Sequence, residues 1–514
     1  MKTTIEPFRS LTSAEKRILE DNLNGQSNGV IFSAVYSKGI SADTWSDEAT
    51  LLTVKDQRLS SNRIAHTLAT VIKNNPELFT AINNKLEFEP VQRIMFDDVV
   101  RKVEFESYKD EIFNCHNGIP PYLLRQIFGK SNFSVGKQEP LWQLFVVDEM
   151  MVIFHGHDVL FDAFAAANFH QLFLEALRTA QMSDAPAPQC IFKFGSSTRS
   201  LSKSIFENPK LHLPAISGEL FQLQTQAFLR NIYQYTIKKP LDYFESNHLS
   251  PPRSIEKQLS EILCGTKELC GTVIFGNIPG ERFKRLEGVI SSENVCLKSF
   301  VCSIVLLCLK PLIRNFEGSI NFAIPLNLRG SIPWSTPFGI FNKEVLVECP
   351  LSLVDDKNFQ NLDVYNGYDP SSVKVNEKDP LYEETLLEYQ FRDSVTFISN
   401  SLKQRWKAWE RCEFNDDDIK RMKFSKPGAT KASRTKTIEI NDLSSTIFPM
   451  APEGQFSIRE ACITRSHKQS SFMSISFCYA EDCGLSISIH YPEGYKMDSF
   501  VECFQSFMEE LSRI

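Results

Sequence analysis

Apolar and polar residues alternate from Met151 to Asp158, where Met151, Ile153, His155 and His157 interleave with Val152, Phe154, Gly156 and Asp158. Successive side chains of an extended chain point to opposite faces, so this pattern predicts a buried strand with both histidines on one face. From Phe161 the period lengthens. Phe161, Phe164, Ala165, Asn168, Phe169, Leu172 and Phe173 recur at helical spacing, as on the apolar face of a helix ending near Thr179. Asp162 stands at the start of that helix, where a carboxylate accepts from free backbone amides and meets the positive end of the dipole. The apolar run from Leu141 to Val147, set off from Met150 to Gly156 by Asp148 and Glu149, makes the two runs a hairpin.

The same reading continues along the chain. Thr12 to Glu15 spells a capping box that opens a helix to about Asn22, glycines at 25 and 29 break it, and Val30 to Ser37 is a strand. Ser61 to Asn74 is helical, with Ile64, Leu68, Val71 and Ile72 on one face and His66 off it, and Asn75-Pro76 stops it. Further helices are expected from Glu219 to about Ile237, from Leu386 to Arg411, and at the C-terminus, where Phe500, Phe504 and Leu511 share a face. Strands are expected at Gly271 to Pro279, Ile320 to Pro325 and Lys343 to Val347, and Phe472 to Ala480 and Leu485 to His490 form a second hairpin. The most apolar stretch, Val295 to Leu309, is short of the ~20 residues a membrane span needs and reads as a buried helix.

At 514 residues the chain has room for two core-forming lobes. The division expected is an N-terminal domain over 1–195, a crossover over 196–260 and a C-terminal domain over 261–514. A net charge of -7 gives no general attraction to nucleic acid or to anionic lipid. Thirteen scattered cysteines, without a CxxC pair or a secretory leader, point to reduced thiols, a cytoplasmic setting and no zinc or other metal. The mixed-charge stretch 416–441 reads as a solvated loop. Neither a GxSxG elbow nor a phosphate-cradling GxxxxGK[ST] loop is present, which sets aside a hydrolase triad and a nucleotide-binding loop.

The run His157-Asp158-Val159-Leu160-Phe161-Asp162-Ala163 resembles the HHxxxDG signature of CoA-dependent acyltransferases, with Asp158 where the signature has its catalytic histidine and Ala163 where it has glycine. Glu139 to Val147 resembles the strand that precedes that signature. The segment from Asn321 to Leu351 resembles a strand ending in P-x-N-x-R followed by a proline-containing loop, and Ser474 to Gly494 a late strand pair. Together they resemble the yeast alcohol acetyltransferase family. The resemblance implies a two-domain α/β sandwich of the chloramphenicol acetyltransferase type, with mixed sheets and an interdomain tunnel that the imidazoles of His155 and His157 would face. It implies acetyl-CoA as co-substrate, a small alcohol or amine as acceptor, and direct transfer assisted by a general base. It also implies a structural salt bridge from Asp162, for which Arg329 is the candidate partner. The expected protein is a monomer, with docking on endoplasmic reticulum or lipid droplets disfavoured by the acidic C-terminal helix.

An aspartate is a poorer base than histidine by about 2.6 units of unperturbed pKa, so Asp158 does not simply inherit the histidine's task. Three readings of His157 stay open: a base re-aimed by a local bulge, a bystander in a catalytically silent binding or regulatory protein, or an ordinary buried strand histidine. The sites carried forward are His157 and Asp158 as catalytic candidates and Asp162 and Arg329 as the structural pair.

Overall fold

The computed structural model describes residues 8–25, 27–38, 58–104, 118–128, 133–179, 188–195, 200–207, 271–292, 295–313, 319–354, 390–404, 437–450, 454–465, 471–492 and 497–511. The expected helix Glu219 to Ile237, most of the crossover, the loop at 416–436 and the ends of the Leu386 to Arg411 helix lie outside them.

In chain order the principal elements are α1 (Ser13–Leu23), β1 (Val30–Lys38), α2 (Ser61–Asn74), β2 (Val100–Val103), α3 (Pro121–Phe128), β3 (Trp142–Val147), β4 (Met151–Gly156) and α4 (Ala163–Thr179). They continue with β5 (Gly271–Ile278), α5 (Gly280–Ser292), α6 (Leu297–Ile313), β6 (Ser319–Asn327), β7 (Asn342–Pro350), β8 (Ile438–Phe448), β9 (Phe456–Arg465), β10 (Met473–Ala480), β11 (Gly484–Pro492) and α7 (Asp498–Leu511). Thr12 caps α1 and Glu15 returns the bond to the Thr12 amide, the reciprocal box expected. The hairpin between β3 and β4 turns through the three-residue connection Asp148, Glu149 and Met150, with Asp148 and Glu149 both left-handed (φ 52° and 57°), a backbone that follows the strand twist.

Two mixed sheets organise the chain. The first has the order β9-β1-β4-β3-β2 and is antiparallel except for the parallel β2–β3 pair. The second has the order β5-β11-β10-β8-β6-β7, with β8 parallel to both β10 and β6. Strand β9 comes from the C-terminal block of the sequence yet forms an edge of the first sheet, its register running from Phe456↔Lys38 to Arg465↔Val30. The lobes therefore share a strand, and whatever β9 carries at its end stands between them.

Alternation decides which layer covers which face. Phe32, Ala34, Val152, Phe154, Leu144 and Val146 turn toward α2 and α4, in a core rich in stacked rings such as Phe154 on Phe169 (4.5 Å). Ile31, Ile153, Phe145 and Val147 turn the other way, against Ile119, Leu123, Leu124 and Ile127 on and beside α3. The second sheet buries Ile475, Phe477, Ile487 and Ile489 with α5, α6 and α7. Its other face carries Ser474, Ser476, Ser486 and Ser488, all buried, and the Ser488 hydroxyl donates to the Ile463 carbonyl on β9. No helix among the described residues is long and apolar enough to cross a membrane.

His170 on α4 sits in the first core. Its Nε2–H donates to the Phe32 carbonyl (3.1 Å) and its Nδ1 accepts from the Tyr36 hydroxyl (2.8 Å). Burial pushes its pKa down to about 3, the Phe32 bond opposing. The unfolded chain therefore takes up this proton near pH 6.5 and the native chain does not, so His170 contributes stability above that pH that is lost as pH falls toward 3. The urea midpoint is expected to drop steadily between pH 6.5 and 5, and to drop less in His170→Gln, which keeps a donor and an acceptor. Parallel profiles for the two proteins exclude this residue as a source of the acid sensitivity.

Candidate functional site

The site forms where β4 ends and α4 begins. Strand pairing runs without a register shift to Gly156, which faces Trp142 on β3 and Val30 on β1. The sequence reading allowed a bulge that re-aims His157 by one residue; the ladder has none there. Past Gly156 the chain turns instead, the amides of Leu160 and Phe161 both donating to the His157 carbonyl (3.0 Å each). Gly29 allows β1 to close on this turn. Its φ is +92°, and a Cβ there would press into the Gly156 carbonyl oxygen.

Both imidazoles are buried, each 1% exposed, rather than open to a passage. Phe133 covers them, its ring centroid 4.8 Å from His155 and 5.5 Å from His157. His155 donates from Nε2 to the Asn28 carbonyl (2.6 Å). His157 accepts at Nδ1 from the Val159 amide (3.0 Å), which fixes the neutral ring with its proton on Nε2. One nitrogen thus has its lone pair engaged and the other carries the proton, so neither is placed to take a proton from a nucleophile. Burial pushes the pKa of His157 down to about 4, outweighing the pull of Asp158 in the other direction.

Asp158, in the place of the signature's histidine, is held from two sides. Ser27 donates its hydroxyl to Oδ2, and Arg465 donates from Nη2 to Oδ1 at 3.0 Å. Arg465 is the last residue of β9, and its Nη1 donates to Glu439 Oε1 on β8 at 3.1 Å. The side chains of Asp158, Arg465 and Glu439 are 3%, 9% and 4% exposed. Burial works against the charge on Arg465, but Asp158 and Glu439 outweigh it and keep the guanidinium firmly protonated. The result is an ion triad joining the first lobe, the shared strand and the second sheet. His490 on β11 closes it, donating from Nδ1 to the Arg465 carbonyl and stacking on Phe128 of α3 at 5.6 Å.

A second clamp lies one turn away. Asp162 caps α4, its Oδ1 accepting from the Ala165 amide at 2.7 Å. Both of its oxygens also receive Arg329, at 2.9 and 3.1 Å, in the two-pronged geometry that a guanidinium makes with a carboxylate. Arg329 further donates to the Thr336 and Gly339 carbonyls, and the Phe341 amide donates to Asp162 Oδ2. The loop between β6 and β7 is thus docked on the start of α4. Glu77, buried beneath it, accepts from the Thr336 hydroxyl at 2.7 Å, and burial raises its pKa.

Of the four residues singled out from sequence, Asp162 and Arg329 meet each other, whereas Asp158 and His157 each meet other partners. Sequence reasoning missed Arg465, Glu439 and Ser27. A buried aspartate calls for a cation, but 56 lysines and arginines offer themselves, and only the pairing of β9 with β1 brings position 465 to position 158.

Known proteins resemble this chain in sequence and in fold. The model of the alcohol acetyltransferase family matches residues 55–338. PSTB2-interacting protein 1 of Saccharomyces cerevisiae (strain ATCC 204508 / S288c) is 42% identical over 520 residues, covering 98% of this chain and 99% of that protein. Among solved structures, TRI3 trichothecene 15-O-acetyltransferase from Fusarium sporotrichioides superposes with a TM-score of 0.59 at 10% identity, over 98% of this chain and 94% of that one. A variant of the starter condensation domain of rhizomide synthetase RzmA, in complex with C8-CoA and Leu-SNAC, superposes with a TM-score of 0.50 at 10% identity, over 98% and 94%. At such identities the two structures speak to the fold alone.

Removing the cation of the triad strands two buried carboxylates. Arg465→Met is expected to cost about 3–5 kcal/mol of unfolding free energy, and adding Asp158→Asn and Glu439→Gln to it is expected to recover most of the loss. Urea titration of the three proteins checks this. An Arg465→Met midpoint equal to that of the wild type shows that the triad does not hold the lobes.

Proposed function

From its membership of the alcohol acetyltransferase family, to which this chain belongs, we propose that it keeps the acyltransferase framework without the family's base and serves as a binding protein. The family and the fold are those of acyl transfer. The observation that carries the proposal is the engagement of Asp158. The residue in the base's position accepts from a guanidinium and a hydroxyl inside an ion triad, so a proton arriving there would have to break a buried pair. His157 beside it offers no free lone pair. A general base must reach the proton it removes, and these two groups are committed elsewhere.

The likeness to a relative named for its interaction with PSTB2, across nearly the whole of both chains, supports a protein partner, the counterpart of PSTB2. Acyl-CoA stays in the reading as a ligand, supported by the family and by the CoA derivative bound in one solved structure of this fold. A reducing compartment fits the free cysteines at positions such as 302, 308, 349 and 478.

A second reading, acetyl transfer from acetyl-CoA to an alcohol or amine, is favoured by the family match and by the intact Asp162–Arg329 clamp. One experiment separates the two. The purified full chain is incubated with acetyl-CoA and panels of alcohols and amines while free thiol is followed, beside His157→Ala and Asp158→Ala, and its affinity for the purified PSTB2 counterpart is measured in parallel. The binding reading expects thiol release at the uncatalysed rate in all three proteins, with direct association with the partner. Turnover by the wild type that falls by about 10²-fold or more in either variant establishes the transfer reading instead.

A further inference from the structure

A cavity of about 690 Å³ lies at the β2 edge of the first sheet, on the side away from the ion triad. Its volume is in the range of small-molecule sites, roughly 300–1,000 Å³. Three elements bring its wall together. The strand Arg93–Met95 contributes Arg93, β2 contributes Arg101, the segment that leads into β3 contributes Phe133 and Lys137, and β3 itself contributes Gln143. The register places Gln143 directly opposite His155, and Phe133 touches both imidazoles, so the cavity floor is one side chain away from the buried histidine pair.

Charge on this wall is unevenly settled. Glu139 stands 4.0 Å from Lys137, which leaves Arg93 and Arg101 against the single carboxylate of Asp98. Among the described residues neither guanidinium has an ion pair; Arg101 lies over the Phe145 ring at 6.0 Å. Two guanidinium forks on separate strands, in a cavity whose wall includes Phe133, suit a ligand with several anionic oxygens.

We propose that this cavity binds a small molecule bearing phosphate groups, held by Arg93 and Arg101 and floored by Phe133. The site is separate from the position of the family's base, and the proposal holds whether or not the chain transfers acyl groups. Both arginines are exposed, so replacing them leaves the fold within about 0.5 kcal/mol of the wild type.

The test is calorimetric titration of the full chain with pyrophosphate and, separately, with CoA at fixed ionic strength. It is run on the wild type, Arg93→Gln, Arg101→Gln and Arg459→Gln, the last a control on β9 whose guanidinium pairs with Asp482. Each cavity variant is expected to bind pyrophosphate about tenfold more weakly, and the control to bind as the wild type does. Loss of CoA affinity in the same two variants identifies the phosphates of CoA as one source of the ligand. CoA affinity unchanged beside weakened pyrophosphate binding points to a free phosphorylated metabolite. Absence of pyrophosphate binding to the wild type, or equal affinity in all four proteins, overturns the proposal.

Discussion

The guanidinium of Arg465 stands between two carboxylates that come from different sheets, and the arrangement of the site follows from that contact. Charges taken out of water are costly unless each is met at close range, and here one cation meets Asp158 at 3.0 Å and Glu439 at 3.1 Å. Because Arg465 ends the strand the two lobes share, the triad is also a tether. It fixes the end of β9, and with it the carbonyl that His490 binds and the aromatic pair His490–Phe128. Asp158 is tolerated in the interior because Arg465 is there to meet its charge.

The neighbouring clamp shows the opposite outcome of the same physics. Asp162 does structural work in two directions, capping α4 and receiving Arg329 from the loop after β6, and neither task needs a proton to move. The parts that shape this framework are thus distinct from the position the family's base occupies. The chain therefore has the fold of an acyltransferase, with Asp162 capping α4 and Asp158 in an internal salt bridge. Phe133 stands between the buried imidazoles and the cavity beyond them.

Local pattern was a good guide wherever one element decides its own structure. The switch of period at Phe161 marks the passage from β4 to α4, the Thr12–Glu15 box opens α1, and the Ser61 to Asn74 helix ends at the Asn-Pro pair. The late hairpin was equally plain, but its meaning was not. Its serines at 474, 476, 486 and 488 are buried in the molecule because β9 crosses over that side.

The sequence by itself determined the types of the main described elements, the two-lobed α/β class, the family, and the mismatch at Asp158, because each of these is written in residues a few positions apart. Tertiary structure alone decided what the mismatch means. The partners of Asp158 lie 131 and 307 residues away in the chain, at Ser27 and Arg465, and strand pairing rather than local pattern brings them to it. The tautomer of His157 was equally hidden, since it depends on where the Val159 amide points after the turn. Contacts of that separation depend on how sheets close on each other, and a period of two or of three and four carries no record of that.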